Sequence, residues 1–131
     1  MTAAGKRLVQ AAREAREIVS HLAIYDFLVL VLPASYRVHH SPNGGKRSEK
    51  EGAKLKRQGT QPGWPDIEIV GPLGRLFFIE VKRLVGGALS REQIELRDWC
   101  ETNGVPWALC RTIDDVMAML AAWQIPTRQA A

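Results

Sequence analysis

The stretch GWPDIEIVGPLGRLFFIEVKR, residues 63–83, reads as two short strands joined by a turn. The second strand is unusual: the apolar run Leu76-Phe77-Phe78-Ile79 is followed by Glu80, one apolar residue and Lys82. Strands buried on both faces are normally Val, Ile or Leu throughout, and charges at a buried strand end are costly unless paired or bound to something. If residues 71–75, around Pro72 and Gly74, form the loop of an antiparallel hairpin, Val70 stands opposite Leu76 and Asp66 opposite Glu80. Side chains alternate along a strand, so Asp66, Glu80 and Lys82 then share one face. Ile67, Ile69, Ile79 and Val81 share the other and face the core. A four-residue loop slips the register by one and breaks this convergence.

Two carboxylates a few ångströms apart repel, which raises the pKa of one unless a cation joins them. Hard oxygen ligands of this kind suit Mg²⁺ or Mn²⁺, ions that keep several waters and bind phosphate oxygens. Such an ion lowers the pKa of a bound water and polarises a phosphoryl group, and Lys82 can orient that water or stabilise developing charge. Taken alone, Glu80-Val81-Lys82 is read more readily as a strand-end salt bridge. Its context decides.

The remainder of the chain limits the function classes. Its 131 residues make one domain, and 46% hydrophobic with 24% charged residues is the composition of an ordinary soluble protein. Cys100 and Cys110 form no CxxC, which argues against a four-ligand zinc site and for reduced cytosolic thiols. The apolar run from Leu22 to Leu32 is broken by Asp26 and falls short of the roughly 20 residues of a membrane span; no signal-peptide pattern precedes it. The net charge of +4 is concentrated in KRSEKEGAKLKR, residues 46–57, which leaves 12 basic and 12 acidic residues elsewhere. A solvated face is the plain reading of such a run, and a nucleic-acid footprint the sharper one.

Periodicity predicts a helix over 6–31, with Leu8, Ala11, Ala12, Ala15, Ile18, Val19 and Leu22 on one stripe, although 27–32 is ambiguous between helix and strand. A strand at 36–40 ends at the turn signal Ser41 to Gly45, and the basic segment follows, partly helical. After the strands at 66–70 and 76–82, Ser90 caps a helix through about Thr102, ended by Asn103-Gly104. A strand at 107–111 and a helix at 114–123 complete a mixed α/β domain with a central sheet.

The spacing PD-x(13)-ExK, from Pro65-Asp66 to Glu80-Val81-Lys82, resembles the motif of the PD-(D/E)XK nucleases. The wider chain resembles their VRR-NUC branch, the virus-type replication-repair nucleases, through HHSPNGGKRS (39–48), KLKRQGTQPGWPD (54–66), FFIEVK (77–82), GALSREQ (87–93) and Asn103-Gly104. The ordered match covers about residues 36–123 of a single domain spanning 1–131. It implies a restriction-endonuclease-like fold, a central mixed sheet flanked by helices in an αβββαβ core with a C-terminal helix. It also implies that Asp66 and Glu80 bind Mg²⁺ or Mn²⁺ together with the backbone carbonyl of Val81, that Lys82 is catalytic, and that Gln93 helps complete the site. Gln93 is equally the third residue of a capping box with Ser90, and both readings stand.

Family members often add an acidic residue from the first helix. Glu14, roughly 100° from the centre of the apolar stripe, is preferred here to Glu17, which lies nearly opposite it. His40 and Asn43 are expected on a loop beside the site that contacts a phosphate backbone, with Asn43-Gly44-Gly45 alternatively a plain turn. Lys46, Arg47, Lys50, Lys54, Lys56 and Arg57 make the sequence-independent footprint. Trp64 is expected to pack the motif in place rather than stack on a base, and Trp99, Trp107 and Trp123 to lie in the core. The resemblance to small stand-alone phage and bacterial members implies a cytoplasmic homodimeric endonuclease cutting branched DNA such as a four-way junction. Its alternatives are a nickase or flap-type nuclease in phage replication or packaging, and a non-catalytic nucleic-acid-binding module that keeps the fold.

Overall fold

The computed structural model describes residues 2–42 and 49–128, without the side chain of Glu14. In chain order its elements are α1 (Ala3–Val31), β1 (Arg37–His40), α2 (Glu49–Arg57), β2 (Ile67–Val70), β3 (Leu76–Val81), α3 (Arg91–Asn103), β4 (Trp107–Cys110) and α4 (Ile113–Ala122). The strands form one mixed sheet in the order β1-β2-β3-β4, with antiparallel pairing up to β3 and a parallel β3–β4 pair. The parallel pair requires a crossover, and α3 supplies it. Mixed α/β architecture with flanking helices is therefore present.

The hairpin register agrees with the expected one. Val70 pairs with Leu76 and Ile67 with Ile79, so Asp66 falls opposite Glu80. The connection holds a single 3-10 turn, Pro72–Gly74, in which Leu73 and Gly74 both take left-handed backbone angles (φ 61° and 75°). Gly74 adopts this freely, while Leu73 does so fully exposed, where no packing opposes it.

One face of the sheet presents Ile67, Ile69, Phe77, Ile79, Val81, Ala108 and Cys110 to Ile24 and Leu28 of α1 and to Val116 and Leu120 of α4. Burying each Ile or Phe here contributes roughly 1.5–3 kcal/mol. On the opposite face Phe78 is buried against Trp64, edge to face with ring centroids 5.2 Å apart. Trp64 thus packs, as expected. Trp123 packs on Phe77 and Trp107 is half-buried. Trp99 departs from expectation: on the outer side of α3 it is 53% exposed.

The α1 helix runs unbroken to Val31, which resolves the 27–32 ambiguity in favour of helix, and Leu32 turns extended before Pro33. Its packing face is not the expected stripe. Leu8, Ile18, Val19 and Leu22 are all more than half exposed. At 100° per residue, the face defined by Ile24 and Leu28 instead runs back through His21 to Glu17. The stripe misleads because its many alanines carry little burial energy, whereas the branched residues after 23 meet the sheet.

Candidate active site

Asp66 sits just before β2, held to the sheet by its backbone. Its carbonyl accepts the Ser41 N–H at 2.9 Å, continuing the β1–β2 ladder. His40 Nδ1 lies 3.0 Å from the same oxygen. A carbonyl only accepts, so that ring nitrogen carries the hydrogen. The Asp66 carboxylate turns to β3, where Oδ2 accepts the Val81 N–H at 2.8 Å.

Glu80 projects from β3 onto the same side and is 2% exposed. Its Oε1 accepts from Gln93 Nε2 at 2.9 Å and stands 3.9 Å from Lys82 Nζ. Among the described residues its buried Oε2 has no hydrogen-bond partner. Burial first, and Asp66 beside it second, push the Glu80 carboxyl up to about 9, with Lys82 pulling the other way. A carboxyl so placed accepts a proton or a cation.

Gln93 joins these groups. Its Oε1 accepts from Lys82 Nζ at 3.0 Å and from the Ser90 N–H at 2.8 Å, while its own N–H donates to Ser90 Oγ at 3.2 Å. The capping box and the contact with Lys82 and Glu80 therefore coexist in one side chain. Gly63 fixes where that helix begins. At φ 79° its missing Cβ would lie 2.5 Å from the backbone of Glu92 and 2.8 Å from Gln93 N, so only glycine fits.

These residues line a cleft of about 680 Å³ closed on one side by Glu17, His21 and Tyr25 of α1. Glu17 pairs with Arg83 at 3.4 Å. It is the α1 carboxylate seen to face the cleft; the side chain of Glu14 lies outside what is described. The ring of His21 meets that of His40 edge-on at 4.5 Å, and burial together with His40 lowers its pKa, opposed by Asp66.

The structure brings Asp66, Glu80, Val81, Lys82, Gln93 and His40 into this cleft. Lys50, Lys54, Lys56 and Arg57 stand exposed on α2, which has no buried residue. Asn43, Gly44, Gly45, Lys46 and Arg47 lie outside the described residues. Sequence reading misses His21, whose signal is its spacing from Ile24 and Leu28. It also misses Arg111, whose guanidinium donates to the carbonyls of Arg83 (2.7 Å) and Gly86 and so fastens the loop after Lys82. No local pattern marks that role.

Two carboxylates, one with an unpartnered buried oxygen, fit a hard divalent cation. Among the described residues no group of three or more His, Cys, Asp or Glu gathers to hold a metal.

No family model and no curated protein matches the chain. A solved structure does. The chain is similar to a VRR_NUC domain protein. The two share 25% sequence identity and superpose with a TM-score of 0.51 over 66% of each chain, so this chain spans just under two thirds of that neighbour's length. The likeness is one of fold and places the chain beside a protein that carries a VRR_NUC domain.

Proposed function

We propose that the protein is a metal-dependent DNA endonuclease of the stand-alone phage or bacterial VRR-NUC type, with a PD-(D/E)XK core, hydrolysing phosphodiester bonds in branched DNA such as four-way junctions. The observation that carries this reading is the convergence of Asp66, Glu80, Lys82 and Gln93 in one cleft. A non-catalytic binding module has no use for a buried Glu80 raised to about 9 by its surroundings.

Asp66, Glu80 and the Val81 carbonyl are the groups that would hold Mg²⁺ or Mn²⁺. When bound, the ion supplies Lewis acidity toward water and phosphoryl oxygens. The chain's own residues do the rest. Lys82 donates one N–H to Gln93 and keeps two, which orient a water or meet charge developing on the phosphoryl oxygens. Gln93 fixes Lys82 and Glu80 relative to each other, so neither must reorganise during the reaction. The basic residues of α2 and of 46–47, with His40 and Asn43, contact phosphates without reading sequence.

A homodimer is part of the proposal, because cutting both strands takes two sites. What supports it is the exposed apolar row on α1, Leu8, Ile18, Val19 and Leu22, of a kind that marks interaction surfaces. Among the described residues no helix is long and apolar enough to cross a membrane, in keeping with action in the cytoplasm of a bacterial or phage-infected cell. The deciding experiment is a cleavage panel of labelled linear, nicked, flap, fork and four-way DNA with Mg²⁺ or Mn²⁺. Metal-dependent incision of branched substrates is expected; no incision of any DNA rejects the reading.

A further inference from the structure

A second cavity, of about 600 Å³, shares Trp64 with the first as a lining residue. Its remaining apolar walls are Pro62, Leu96 and Trp99. We infer that this cavity is a nucleobase pocket, which receives an unpaired base of the strand whose phosphate is cut next door, a role that rests on the nuclease reading above.

The walls are preformed. Trp64 is held by an indole N–H bond to Glu68 at 2.6 Å and by its edge contact with Phe78. Gly63 presses on the first turn of α3 too closely to admit a Cβ, which locks the 61–64 loop against the helix that carries Trp99. Trp99 itself is 53% exposed, and an indole left open at a cleft offers a stacking face to any base. The rim selects the base end of a nucleotide. Gln61, Glu92 and Glu95 supply hydrogen-bond acceptors, with Glu95 already engaged by Arg91 at 3.0 Å. Carboxylates repel a phosphate but accept hydrogen bonds from the amino groups of bases. A strand with its phosphate between Asp66 and Lys82 therefore has an aromatic, acid-rimmed receptacle beside it only for a base that has left its stack. Branch points supply such bases, and intact duplexes withhold them.

The test places an abasic nucleotide at each position flanking the mapped cut in a flap substrate. For the wild type, one such position should lower kcat/KM about 5- to 100-fold, the range expected when one base–aromatic stack is removed. Trp99→Ala should show that loss on the intact substrate and none further on the abasic one, whereas Trp99→Phe keeps most activity. In chelator, a short oligothymidylate should quench wild-type tryptophan fluorescence, and Trp99→Ala should lose that quenching. Equal abasic sensitivity in wild type and Trp99→Ala, or wild-type kinetics in the variant, overturns the pocket. So does a lower oligomer mass for Trp99→Ala, which would assign this face to a second copy of the chain. Quenching that depends on Trp99 without cleavage of any DNA would reject the nuclease reading alone and leave the base pocket standing. Neither cleavage nor quenching rejects both.

Discussion

The side-chain amide of Gln93 donates to Glu80 Oε1 at 2.9 Å while the same residue closes the N-terminal cap of α3. Cap and site are thus one object, and substitution can pull them apart. Gln93→Glu keeps the capping geometry and suits a helix N-terminus, but it sets a negative charge against Glu80. We expect a small shift in melting temperature and a large fall in kcat. Gln93→Ala keeps the Ser90 Oγ cap on its backbone N–H and loses only the reciprocal bond to the Ser90 N–H, so it should cost little stability and most of the turnover. Normal turnover in Gln93→Glu would strike Gln93 from the site.

Asp66→Asn, Glu80→Gln and Lys82→Ala should each abolish cleavage in a folded protein. Glu80→Gln carries a second signature, read without divalent cation. The folded carboxyl is raised to about 9 from its ordinary 4.5, so between those values the folded state holds a proton that the unfolded chain has released. The Glu80 contribution to stability then falls as pH rises from about 4.5 toward 9, by at most about 1.4 kcal/mol per pH unit, while His21, its pKa lowered from 6.5, contributes in the opposite direction below that value. Chemical denaturation in chelator across that range should give a wild-type line that falls relative to that of Glu80→Gln. Parallel lines would contradict the placement of Glu80.

Lys50, Lys54 and Arg57 project from a helix with nothing buried. Replacing all three by Gln should barely change stability and should weaken every DNA shape alike. For each phosphate that is no longer neutralised, the slope of log affinity against log salt should become shallower by about 0.9 on duplex DNA. An unchanged slope in the triple variant would make α2 an ordinary solvated face.

Two glycines should respond in opposite directions. Gly63→Ala forces a Cβ into the backbone of Glu92 at φ 79° and should destabilise by about 1–3 kcal/mol, with loss of activity as Gln93 moves. Gly52 lies inside α2 with nothing within 4 Å of its would-be Cβ; Gly52→Ala should stabilise by roughly 0.5–1 kcal/mol. Thermal melts of the pair decide the matter.

The hairpin is legible in the sequence because two local rules, alternation along a strand and the reach of a tight turn, fix the Ile67–Ile79 pairing without help from the rest of the chain. The capping box at Ser90 and the left-handed Gly104 after α3 are legible for the same reason. What local rules miss is long-range. Which side of α1 meets the sheet depends on residues far along the chain, so periodicity passes over His21. Trp99 is expected in the core because an indole in a helix usually lies there. Its exposure follows from how α3 lies on the sheet, with Cys100 and not its neighbour turned inward.

The turn that joins β2 to β3 also sets a sequence of events. A hairpin closes a short loop and forms early, whereas the parallel β3–β4 pair and the crossover through α3 require distant segments to meet. Asp66 and Glu80 are therefore pressed together before Gln93 and the fully assembled sheet arrive to hold them. The cost of bringing two carboxylates together falls on the folding barrier, and the native state meets it at neutral pH by keeping a proton on Glu80. In stopped-flow refolding, mild acid or a divalent cation should speed the wild type, and Glu80→Gln should refold faster at neutral pH and gain nothing from either. The charge pair that would grip the ion is, on the way to the native state, a brake.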